Sequence, residues 1–228
     1  MYLLFNKGVN KIRFFLILAL TFFIPVGMVS ADTALDNAYN VGKSAYNRND
    51  FEIALKQWSW LADKGDRRGL NALAVLYDNG QGVVEDNKKA VKLYKAAANK
   101  GSHKAQLSLG TMYYNGEGVK QDYVLAFKWY KKSAKAGNPG GQFGVALAYE
   151  KGRGTEHNNK LAVKWYKKAV AQGNVSAMIS LGNMYSNGWG VKRSGYEAHR
   201  LYQEAYREGN AEQRRIAEGN LNALKHDL

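Results

Sequence analysis

Beyond residue 66 the apolar positions fall three and four residues apart, in runs broken by glycine. After Ser102, the residues Ala105, Leu109, Met112 and Tyr113 share one side of a helix. After Asp122, the residues Ala126, Trp129, Tyr130, Ser133 and Ala134 share one side of the next. The pattern predicts an all-α chain whose helices come in pairs, a helix A and a helix B, each with one apolar stripe.

The punctuation between them repeats in register. Gly65, Gly101, Gly137, Gly173 and Gly209 lie 36 residues apart, as do Gly80, Gly116, Gly152 and Gly188, and Gly82, Gly118, Gly154 and Gly190. Tyr77, Tyr113, Tyr149 and Tyr185 keep the same step. So do Ala54, Ala90, Ala126, Ala162 and Ala198, and Tyr94, Tyr130, Tyr166 and Tyr202. After the first glycine column stand Asp66, Ser102, Asn138, Asn174 and Asn210. Each can accept a hydrogen bond from a free N–H of the helix it begins, worth about 1 kcal/mol. Pro139 follows its cap at the first helical position, where proline fits. The glycine before each cap is expected to be left-handed, a conformation that costs other residues about 1–2 kcal/mol. Asp86, Asp122, Asn158 and Ser194 are expected to cap helix B. Each unit thus reads as helix A, a Gly-x-Gly loop, helix B and a tight glycine turn.

One pair cannot cover both of its stripes, so pairs must stack on one another. Small residues at 105, 110, 126 and 133 allow neighbouring helices to approach closely. The run Ala105-x-x-x-Leu109-Gly110-x-x-Tyr113-x-x-Gly116-x-Gly118-Val119-x-x-Asp122, then Ala126-x-x-Trp129-Tyr130-x-x-x-Ala134-x-x-Gly137-Asn138, resembles a Sel1-like repeat (SLR). That family is a relative of the tetratricopeptide repeats, with a longer unit than their roughly 34 residues. The resemblance covers Asp66 to about Asn210, four units. Thr155 departs from the usual Val, Asn158 and Ser194 from the usual Asp, and Leu93 and Leu201 stand where Trp is common. It implies a right-handed α-solenoid of antiparallel helix pairs, with helices A lining the concave side, and a role in bacterial envelope or host interaction.

The ends differ from the middle. Tyr46 and Ala54 are only eight positions apart, against 13 from Tyr77 to Ala90. Residues 32–65 therefore read as a tetratricopeptide-like pair without the Gly-x-Gly loop, and 66–210 as the four repeats. Residues 211–228 read as a charged capping helix, Ala211 to about Lys225, with a short tail.

Residues 1–31 read as a signal peptide. Lys7, Lys11 and Arg13 form a basic start without an acid, Phe14 to Val29 is apolar, and Val29-Ser30-Ala31 offers small residues before a cut at Asp32. Sixteen helical residues span about 24 Å, short of the roughly 30 Å of membrane hydrocarbon, and Pro25 and Gly27 interrupt them. An exported protein, periplasmic or secreted after cleavage near Ala31, is expected, with a retained anchor as the alternative. Losing the three basic residues lowers the net charge from +14 to +11. Cysteine is absent, so disulfides and thiolate metal sites are excluded.

The chemistry that catalysis needs is missing from the pattern. His103, His157, His199 and His226 are not paired four apart, and no HExxH occurs. Gly42-Lys43-Ser44 imitates the end of a phosphate-binding loop, but Asn37 stands where its first glycine belongs. Some cysteine-rich SLR relatives carry a β-lactamase label; this chain has neither the cysteines nor a Ser-x-x-Lys. No catalytic residue, metal or cofactor is expected. A cell-envelope hydrolase remains the alternative from another class.

Partner-binding residues are sought where a column breaks rank. Trp189 replaces Gln81, Glu117 and Arg153 at the loop tip, and reads as an anchor or as a ring folded back on its helix. Tyr114 breaks a column of Asp78, Glu150 and Ser186 with the same two readings. Lys104, Ser108, Thr111 and Asn115 on one helix A, and Ser176, Ser180, Asn183 and Asn187 on another, would give a polar groove for a peptide or helix. Lys92, Lys128, Lys164 and Arg200, with Lys95, Lys131 and Lys167 three residues on, form a basic ladder along helices B. It reads as a solvated face or as a footprint for an anionic membrane, glycan or acidic protein. A monomer that binds a protein or peptide, and no nucleic acid, is the expectation.

Overall fold

The computed structural model describes residues 31–226, so the export segment expected over residues 1–31 lies outside the described residues but for Ala31. All the described elements are helices. The first pair is α1 (Ala31–Asn47) and α2 (Phe51–Asp63), joined by three residues with no Gly-x-Gly loop. Four units follow: α3 (Arg67–Asn79) with α4 (Asn87–Asn99), α5 (His103–Asn115) with α6 (Tyr123–Lys135), α7 (Pro139–Lys151) with α8 (Asn159–Val170), and α9 (Val175–Asn187) with α10 (Gly195–Glu208). A last helix, α11 (Ala211–His226), has no partner of its own.

Every helix packs on the one before and the one after it, so the chain is an α-solenoid of antiparallel pairs. Successive helices A also touch directly, α5 on α7 and α9 on α11, whereas no two helices B pack as closely. Helices A therefore converge on the inner side of the curve and helices B splay on the outer side.

The caps are where the sequence puts them. Asp66, Ser102, Asn138 and Asn174 accept from backbone N–H groups of α3, α5, α7 and α9, and Asn210 accepts from Gln213 at the start of α11. Asp86, Asp122, Asn158 and Ser194 do the same for helices B. The expected left-handed turn is present at Gly65, Gly101, Gly137 and Gly173 but not at Gly209. There φ is −75° and ψ 160°, because α10 runs on to Glu208 and the chain leaves it extended. Gly209 is needed for room instead, since a side chain would meet the Ala205 carbonyl and the Gln213 Cβ.

Two close approaches hold the stack in register. The first is a ring on a backbone. Tyr130 of α6 lies between Gly110 of α5 and Gly144 of α7, each so near that a methyl group there would sit 2.7 Å from the ring. Gly182 faces Tyr202 in the same way, and Ala74 and Ala146 occupy that position beside Tyr94 and Tyr166. The second is backbone on backbone. The second loop glycine of each unit rests on the first turn of the preceding helix B. Gly82 lies against Phe51, Gly118 against the Asn87 carbonyl, Gly154 against the Tyr123 carbonyl and Gly190 against Asn159.

The two glycine columns should respond differently to alanine. At Gly137 φ is +85° and nothing lies within 4 Å, so Gly137→Ala should cost only the backbone term of about 1–2 kcal/mol. Gly154→Ala adds a clash with a carbonyl that cannot rotate away, and should cost at least about 2 kcal/mol more. Urea unfolding of the two variants checks the difference; equal losses would refute the register contact.

Candidate functional site

The inner face is built around a recurring problem: each helix B buries a tyrosine whose hydroxyl needs a partner. In units one and three an acid supplies it. Tyr94 donates to Asp78 at 3.1 Å and Tyr166 to Glu150 at 2.6 Å. In units two and four the acceptor lies one turn earlier on helix A. Tyr130 donates to Thr111 at 3.3 Å and Tyr202 to Asn183 at 2.7 Å. Burial raises the pKa of all four phenols, that of Tyr202 to about 12. Burial also raises Asp78, which meets the neighbouring charges of Glu117 and Glu85.

This alternation accounts for Tyr114. Thr111 has taken over the partner role, which frees position 114 from carrying an acceptor. The ring of Tyr114 packs edge-on to Tyr123 at 5.2 Å, and the Arg153 guanidinium from the next loop lies over both, 5.4 and 5.2 Å from their centroids. Arg153 also donates to the Tyr114 hydroxyl. Tyr114 is thus half of a clasp between units two and three. At the junction of the first pair with unit one, the tip residue Gln81 accepts from the Tyr46 hydroxyl at 3.0 Å.

The other polar residues of the inner face also have internal duties. Ser108 and Ser180 lie within hydrogen-bonding reach of the Tyr94 and Tyr166 hydroxyls of the preceding units. Asn183 accepts from Asn220 as well as Tyr202, and Ser176 accepts from Gln213, so α11 covers part of α9. Both α11 partners stand 37 residues beyond the α9 residues they reach. Asn115 donates to the tip residue Glu117, and Asn187 to the Asn183 carbonyl. Lys104 is exposed beside a small cavity of 160 Å³ lined also by Tyr39, Arg67 and His103. Half-buried Leu107, Phe143 and Leu147 share this helix A face, which sequence reasoning missed. Their signal was the column Asn71, Leu107, Phe143, Ile179, apolar in all but the first unit.

Trp189 stands apart. Its side chain is 48% exposed at the loop tip, where Gln81 and Arg153 are tied to the preceding unit. On the outer face, Lys92, Lys128, Lys164 and Arg200 are all exposed, but of the four only Arg200 is ion-paired. It forms ion pairs with Glu197 and Glu204, both at 3.2 Å, because α10 carries acids at the positions that reach it.

The buried phenols predict an alkaline limit. Below about pH 10, the ordinary phenol value, they are neutral in both folded and unfolded chains and their burial contributes in full. As pH rises past that, only the unfolded chain ionises them, so stability falls, for Tyr202 until the pH passes about 12. Urea unfolding across this range should show the decline, and Tyr202→Phe should make it shallower. A stability independent of pH above 10 would rule this out.

The Sel1 repeat family matches four times in succession, at residues 68–102, 103–138, 139–174 and 175–210. Among solved structures, a Sel1 repeat protein from Oxalobacter formigenes is 24% identical with a TM-score of 0.76, covering 84% of this chain and 79% of its own. The protective antigen c5321 of uropathogenic Escherichia coli, which displays an SLR fold, is 29% identical with a TM-score of 0.72 over 83% of this chain. This chain spans only 41% of that protein's length. The immunity protein Pa5087 from Pseudomonas aeruginosa shares the fold at 20% identity and a TM-score of 0.53, covering 83% of this chain and 81% of its own. No curated protein sequence matches the chain. With four consecutive matches over the units that the glycine columns mark out, the chain belongs to the Sel1 repeat family.

Proposed function

We propose that this protein is an exported, non-enzymatic adaptor that holds a protein partner through its inner face and loop tips. Sel1 repeat proteins generally mediate protein–protein interaction, and the family is typically a non-catalytic scaffold. The observation that carries the finer reading is Trp189. A half-exposed indole at a tip where other units place Gln81 and Arg153 against their neighbours is a large apolar surface left for a partner. Buried aromatic anchors of this kind dominate interface energies. Asn187, exposed two residues before it, and Asn115 at the equivalent position of unit two would supply polar contacts at the loop end of helices A, and Lys104 is exposed at the other end. Export rests on the character of residues 1–31, with the mature chain beginning at Asp32 as a monomer in the periplasm or outside the cell.

Capture from an envelope or culture fraction on the immobilised chain from Asp32 tests this reading. A specific partner should bind, and Trp189→Ala should weaken it by roughly thirtyfold, the effect of losing a hot spot of about 2 kcal/mol. The unfolding midpoint should stay unchanged, since the side chain is half in solvent. An affinity unaltered in both Trp189→Ala and a Lys104→Ala, Asn115→Ala double variant would defeat the assignment of the face.

A further inference from the structure

The outer face carries a second feature, independent of the partner site. Helices α4, α6 and α8 each contain four lysines and no acid. All of these lysines are exposed, and among the described residues none is in a salt bridge. Twelve like charges on three neighbouring helices repel one another with no acid on those helices to offset them. The run stops sharply at α10, which carries three glutamates, two of which, Glu197 and Glu204, pair with Arg200.

These lysines frame aromatic ground. On α6 a groove of about 410 Å³ is lined by Leu125 and Trp129, with Lys128, Lys131, Lys132 and Lys135 around them. The Lys132 ammonium lies 4.1 Å from the centre of the Trp129 ring. One unit on, Lys168 lies 4.4 Å from the centre of the Trp165 ring, with Leu161, Lys164 and Lys167 in the equivalent places. The arrangement of an indole flanked by ammonium groups therefore occurs in two successive units, two and three, and Leu93 takes the indole's place in unit one, where the lysines continue.

We propose that this strip binds a linear anionic polysaccharide, its sugar rings against the indole and lysine-stem ground and its carboxylate or sulfate groups on the ammonium rims. A repeating site suits a repeating polymer, and the charge complementarity is one-signed over three units. A membrane fits worse. The only large apolar residue well exposed on these three helices is Val124, so little is available to enter hydrocarbon, and a convex face meets a plane only along its ridge. Nucleic acid fits worse as well: a base stacks on an open aromatic face, whereas a sugar ring needs only an apolar patch such as the lysine stems over half-buried Trp129 and Trp165 provide.

The test is titration of the full chain with a heparin hexasaccharide, which carries both carboxylate and sulfate groups. Neutral dextran, vesicles of 30% phosphatidylglycerol in phosphatidylcholine and a single-stranded DNA of equal charge serve as comparisons. Heparin should bind more tightly than vesicles or DNA at one salt concentration, and its affinity should fall as salt rises. A triple variant, Lys128→Gln, Lys131→Gln and Lys135→Gln, should weaken it at least tenfold. Removing the same charge elsewhere, with Lys43→Gln, Lys56→Gln and Lys64→Gln, should change it less than twofold. Trp189→Ala should leave heparin binding intact, which separates this face from the partner site. Thermal melting confirms that each variant is folded. Absence of heparin binding, tighter binding of vesicles or DNA, or equal losses in the two triple variants would overturn the proposal.

Discussion

The stack depends on backbone meeting backbone where a side chain would stand in the way. The second loop glycine of each unit sits on the first turn of the helix B before it, Gly118 on Asn87 and Gly154 on Tyr123. The contact is too close for a Cβ, and the left-handed φ at each of these glycines adds a second reason for the residue type. Once that contact is made, the rest follows in order. The loop tip is brought against the preceding unit, helix A is laid on the ring of the buried tyrosine, and the next cap begins the next unit. Core apolar burial supplies the driving force, but it is non-directional and would tolerate a shifted stack. The glycine contact would not.

Most of this was legible in the sequence because it is written in residue types with few alternative uses. Glycine at a fixed step, followed by Asp, Ser or Asn, can hardly mean anything but a helix end and a helix start, and nine of the predicted caps accept the bond expected of them. Gly209 shows the limit. The letter is the same as in the other four turns, but the helix before it runs longer, so the glycine answers to crowding and not to φ. A column records identity, and identity does not say which constraint applies.

The candidate site was less legible for the same reason. Thr111 and Asn183 sit at the spacing of an open polar stripe, yet each takes a hydroxyl from a buried tyrosine. Nothing in helical periodicity reveals where a phenol on another helix will need an acceptor. Tyr114 looked anomalous because its column was read alone; with position 111 beside it, the exchange of roles is plain. The column of the basic ladder shows which residues are exposed but not which are paired, since Glu197 and Glu204 lie off it and within reach of Arg200. Trp189, half-exposed at its loop tip, is the break in pattern that comparison of the units exposes most directly.

The alternation of tyrosine partners has an implication for how such a chain can grow. Units one and three are of one kind, with an acid for the phenol and a serine of the following unit beside it. Units two and four are of the other, and the ring of Tyr130 is met by Gly144 where the alternate junctions have a serine. The structural period is therefore a pair of units, even though the glycines count single ones. Adding or excising one unit would set two of a kind side by side and leave mismatched groups at the seam. Changing the length by two would keep the phenol partners alternating, whereas the loop-tip contacts, such as the clasp of Arg153 on Tyr114, belong to single junctions and would have to be made anew.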